Sequence, residues 1–136
     1  MTVIDCRFEL SLLPERFALV RLAQDAPVPS WALQGSFFSI TRTAEELSIV
    51  TAARNIPEGV QKRADWRAWK VHGPFALSEI GVLSALAAPL AGAKISLFVI
   101  STFDTDYLLV SAEHLQAAVA ALKKAGHQVR AAEFDS

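Results

Sequence analysis

The chain has 136 residues, is 52% hydrophobic and 20% charged, and carries a formal net charge of −1. That balance supports a sizeable buried core, excludes intrinsic disorder, and leaves no cationic footprint for nucleic acid or an anionic membrane. Cys6 is the single cysteine, which excludes an internal disulfide and implies a reduced, cytoplasmic setting.

Met1 to Asp5 lacks the basic and apolar regions of a signal peptide. The most apolar stretch, Ile80 to Ala93, is too short to span a bilayer and contains Pro89. A domain without a membrane anchor is expected.

Residues 1–60 read as short strands. Phe8 to Leu12 alternates with period two, and Phe17 to Leu22 is a short apolar run. Pro27 and Pro29 then exclude a long helix. Phe37 to Thr41 and Leu47 to Thr51 are rich in β-formers and flank a polar tip, Arg42 to Glu46, so they predict a hairpin.

Residues 61–136 change pattern. Trp66 to His72 predicts a strand ended by Gly73-Pro74. Ser78 is placed to cap a helix, with Glu79 near its positive end and Ile80, Leu83, Leu86 and Leu90 on one face. Strands are expected over Ile95 to Ile100 and Tyr107 to Val110, around the tip Ser101 to Asp106. Ser111 is expected to cap a second helix, with Leu115, Ala118, Val119 and Leu122 inward and Lys123 and Lys124 at its end. A last strand includes Val129. This βαββαβ order is the ferredoxin-like α+β unit, with both helices on one face of a four-stranded antiparallel sheet.

The two hairpins share a pattern. Phe38, Ile40, Val50 and Ala52 recur as Phe98, Ile100, Val110 and Ala112, about 60 positions later and without a gap. Duplication explains this, with the first half shortened by loss of its long helix.

Candidate chemistry is sparse. His72, His114 and His127 show no metal-ligand spacing, and the latter two flank a helix as surface histidines usually do. Asp104 and Asp106 lack the glycine and distal glutamate of a calcium loop. No metal, cofactor or catalytic group is expected. Phe98 lacks a basic surround, which argues against single-stranded RNA. What remains is the tip Ser101 to Asp106, whose hydroxyls and carboxylates can receive an ammonium group. Phe103 is an aromatic there, where burial within its own domain is hard. The turn His72-Gly73-Pro74-Phe75 falls beside this tip in the expected topology, and glycine lets main-chain N–H groups approach a carboxylate. Together these would bind a zwitterion.

The run Ile95 to Val110 resembles the signature of the tandem ACT-domain family, which includes the CASTOR-type arginine sensors. Phe37 to Thr43 and Trp66 to Pro89 are similar to it as well, and the resemblance extends from Phe8 to Val129. It implies a non-enzymatic regulatory fold that binds a free amino acid at an interface between ACT units. Two ACT-like halves packed as one module are implied, a degenerate one over 1–60 and a complete one over 61–136. The family's ligand contacts map onto Gly73, Thr102, Phe103 and Asp106, with Ser96 and Leu97 facing them from a partner unit and His72 and Phe75 flanking Gly73. The sensors carry two such pairs and this chain one, so a homodimer is implied. An interaction module of the same fold with a vestigial pocket is the alternative. A small ferredoxin-like enzyme of the acylphosphatase kind would need a Gly-rich loop with arginine and asparagine, which is not legible.

Overall fold

The computed structural model describes residues 7–72 and 81–130. They form two compact units: Glu15–Trp66, and the described residues of Met1–Pro14 with Arg67–Ser136. Among them no helix is long and apolar enough to cross a membrane.

The Glu15–Trp66 unit is built on β2 (Phe17–Leu22), β3 (Ser39–Arg42) and β4 (Leu47–Ala52), with the first residues of β5 (Arg63–Val71). The order β3-β4-β2-β5 is antiparallel throughout. Ala18, Val20, Leu47 and Ile49 form its buried cluster with Ala32 and Ile56. A single 3-10 turn, Ser30–Leu33, stands between β2 and β3 where a complete half carries a long helix. Pro27 and Pro29 allow nothing longer.

The second unit contains the end of β5, α1 (Val82–Gly92), β6 (Phe98–Ser101), β7 (Asp106–Ser111), α2 (Leu115–Lys124) and β8 (Gln128–Arg130). The βαββαβ order is present, and one strand is added. The N-terminal β1 (Glu9–Leu12) lies between β5, to which it is antiparallel, and β8, to which it is parallel. The sheet runs β6-β7-β5-β1-β8, five strands where the local pattern predicts four. Leu10, Leu12, Trp69, Val71, Leu108 and Val110 meet Leu86 and Leu90 of α1 and Ala118 and Leu122 of α2 in one core.

Some local expectations are corrected. Leu83 is 42% exposed, and Val82 joins Leu86 and Leu90 on the inward face of α1. Ser111 makes no side-chain cap; it precedes a 3-10 turn, Ala112–His114, which leads into α2. Ser78, Glu79 and Ile80 lie outside the described residues. Leu97 and Val99 pack on the core.

His127 is the largest departure. It is buried, at 5% exposure, not a surface histidine. Pro89 sits inside α1 and cannot donate to the carbonyl of Ala85, four residues back. His127 Nε2 lies 3.1 Å from that carbonyl, and the Phe8 N–H donates to His127 Nδ1 at 3.0 Å. The second bond makes Nδ1 the acceptor, so Nε2 carries the proton and donates to Ala85. One neutral ring supplies the donor that proline removes.

The hairpin repeat is real in three dimensions but sits one residue away from its sequence alignment. Ser39–Arg42 corresponds to Phe98–Ser101 and Leu47–Ala52 to Asp106–Ser111, an offset of 59 positions. The 3-10 turns that follow, Ala53–Asn55 and Ala112–His114, keep the same offset. An alignment at 60 would turn every strand side chain to the opposite face. The identities at that spacing reflect shared β-forming composition, not structural equivalence.

Candidate functional site

The C-terminal tip is closed by threonine. Ser101 pairs with Asp106, and the Thr102 N–H donates to the Thr105 carbonyl at 2.8 Å. Thr102 Oγ1 donates to the same carbonyl at 3.0 Å and accepts from the Thr105 N–H at 3.3 Å. Threonine in this position replaces main-chain turn bonds with side-chain ones. Thr105 is buried, and its hydroxyl donates to the Val71 carbonyl at the end of β5. The tip is thereby tied beside the start of the turn that follows β5.

Phe103 projects from this tip at 84% exposure. Asp106 is half-buried at the head of β7, and among the described residues its carboxylate has no hydrogen-bond or ion-pair partner. Asp104 is exposed on the tip itself. The turn is closed without either carboxylate.

The other expected site residues divide. Thr102, Phe103 and Asp106 come together on the tip; Gly73 and Phe75 lie outside the described residues. His72 is exposed, and its main-chain N–H donates to the Glu9 carbonyl. Its Nε2 is 2.5 Å from Ser11 Oγ on β1, the strand across β5 from the tip. A ligand at the tip would have to draw His72 off Ser11. Ser96 is exposed and Leu97 half-buried just before β6, at the end of that strand away from the tip. Leu97 packs on the core. Sequence reading missed Thr105, whose signal was a β-branched hydroxyl directly before a strand. Among the described residues no group of three or more His, Cys, Asp or Glu could hold a metal ion.

The ACT-domain family model matches residues 61–124, and a second model, of an N-terminal domain, matches residues 15–59. The human protein named cytosolic arginine sensor for mTORC1 subunit 1 is 28% identical over 131 residues, covering 90% of this chain and 37% of its own length. The chain thus spans little more than a third of that curated relative. A crystal structure of an Agobacterium tumefaciens protein is 38% identical, with a TM-score of 0.90 over 96% of this chain and 97% of that one. The regulatory subunit of aspartate kinase from Thermus flavus shares the fold at 12% identity, with a TM-score of 0.59 over 85% of this chain and 95% of that one. With a βαββαβ unit in the C-terminal half, an ACT-domain match over residues 61–124 and a curated arginine-sensor relative aligned over 90% of the chain, the chain belongs to the tandem ACT-domain family.

Proposed function

We propose that the chain is a non-enzymatic regulatory protein that binds a free amino acid at the C-terminal hairpin tip. The observation that carries this reading is Asp106: a half-buried carboxylate that the turn does not use, beside an exposed aromatic. Such a group accepts charge-assisted hydrogen bonds from an ammonium, and partial burial strengthens them. Phe103 offers apolar area to the ligand side chain. Main-chain N–H groups of the turn at Gly73 and Phe75 would meet the ligand carboxylate, with the His72 side chain beside them, since the His72 main-chain N–H is taken by the Glu9 carbonyl. The curated relative's name, an arginine sensor, and the regulatory aspartate-kinase neighbours support the amino-acid class. That relative is also named cytosolic, which supports a cytoplasmic setting.

A screen of the twenty amino acids by thermal shift tests the proposal. A ligand that binds only the folded state at a hundred times its Kd adds about 2.7 kcal/mol, a rise of several degrees in Tm. At least one amino acid should give that rise at millimolar concentration; no response from any of the twenty at 10-fold higher concentration would contradict the reading.

The site is completed by a second copy in this proposal. β6 pairs only with β7 among the described strands and leaves an open edge. Symmetric side-by-side pairing would cover that edge and bring the partner's start of β6, Ser96 and Leu97, toward the tip. Light scattering should give about twice the 14.7 kDa chain mass. A monomer both with and without amino acids would refute the dimer.

A further inference from the structure

The N-terminal unit repeats the tip and the strand end beside it, but with different residues at the two positions that matter. Its tip is closed in the same way: the Thr43 N–H donates to the Glu46 carbonyl at 2.9 Å, and Thr43 Oγ1 accepts from the Glu46 N–H at 3.1 Å. β2 pairs with β4 through Leu22 and Leu47, so the turn after β2 lies beside this tip. Arg21 reaches across, with Nη1 3.7 Å from Glu46 Oε2 and Nη2 donating to the Glu45 carbonyl at 3.5 Å. By strand pairing, Arg42 opposite Leu47 occupies the place of Ser101 opposite Asp106.

Both exchanges have chemical consequences. Where the C-terminal tip has the unused Asp106 carboxylate, this one has fully buried Leu47, with no charge for an ammonium. Where the C-terminal tip has the short Ser101, this one has Arg42. Its guanidinium extends to the turn after β2, donating from Nη1 to the Gln24 carbonyl and from Nη2 to the Ala26 carbonyl at 2.7 Å. A planar fork with parallel donors matches two neighbouring carbonyls in a way no single ammonium can.

We propose that the seam between tip and turn in the N-terminal unit is a cation site occupied by the chain's own Arg42. The ligand class it takes is a guanidinium. Removing the side chain opens the site to a free guanidinium ion of that shape, and in the intact protein it stays closed to ligands. The further consequence, one open amino-acid site per chain, rests on the reading given under Proposed function; the filled seam does not.

The test uses the full-length chain and methylguanidinium as probe. Arg42→Ala should melt several degrees below wild type, and methylguanidinium at tens of millimolar should return about 2–4 °C of that loss. Wild type should gain nothing from the probe, and tetramethylammonium should do nothing for the variant. Amide resonances of Gln24, Ala26 and Thr43 should move in the variant on titration, while those of Thr102 to Asp106 stay still. That separation keeps a failure here distinct from a failure at the C-terminal tip. Equal response of wild type and variant, or no response of the variant, overturns the proposal. Should Arg42→Ala not fold, the wild-type protein decides: guanidinium protons of Arg42 must exchange more slowly than those of Arg54, whose side chain is 68% exposed. Equal exchange overturns the proposal as well.

Discussion

Asp106→Asn should cost about 2–3 kcal/mol of amino-acid binding, a loss of roughly 30- to 150-fold, while the ligand-free melting point stays at the wild-type value. The first half follows from removing the charge that an ammonium group would meet. The second follows from the geometry of the tip, where Thr102 and not Asp106 makes the turn-closing hydrogen bonds. Asparagine keeps the size of the side chain and the strand pairing with Ser101. Thr102→Val is the complementary change and should lower the ligand-free melting point, because it deletes both side-chain bonds of the turn. Asp104→Asn, at an exposed position, should alter neither quantity. Calorimetry on the three variants checks this; unchanged affinity in Asp106→Asn removes the residue from the site.

His127→Phe should destabilise the protein by about 2–4 kcal/mol. Phenylalanine retains the stacking on Phe8, whose ring centroid lies 5.9 Å from that of His127 at an interplanar angle of 20°. It offers neither an acceptor for the Phe8 N–H nor a donor for the Ala85 carbonyl, so two main-chain groups are left without partners. Urea denaturation should show a lower midpoint with an unchanged slope. His114→Ala is the control: its ring is half-exposed and 3.7 Å from the adjacent Glu113, and its loss should change little. A loss below about 0.5 kcal/mol for His127→Phe would show that the ring is not the substitute donor described above.

The sequence pattern located what depends on neighbours in the chain. Phe17–Leu22 is the strand that its β-formers predict, and α2 buries Ala118 and Leu122 as its spacing requires. The ferredoxin-like βαββαβ unit was legible from the order of elements, and the ACT family from the resemblance carried by Ile95 to Val110. Long-range pairing was not: nothing local in Glu9–Leu12 says that it inserts between β5 and β8. The true repeat offset was hidden for a related reason, since strands of similar composition align almost equally well when slipped by one residue. His127 could have been anticipated from Pro89, because a proline within a helix leaves a carbonyl that some donor must reach. Asp106 was legible as a candidate, but its release from turn closure needed the Thr102 geometry.

Whether the tip between β6 and β7 receives an amino acid is tested most directly by an amide-resolved NMR titration of the full chain with the amino acid that gives the largest thermal shift. Saturable shifts should centre on Thr102, Phe103, Thr105 and Asp106 and be lost in Asp106→Asn, with Thr43 to Glu46 unmoved. Saturable shifts centred elsewhere, or shifts at the tip that persist in Asp106→Asn, would contradict that expectation.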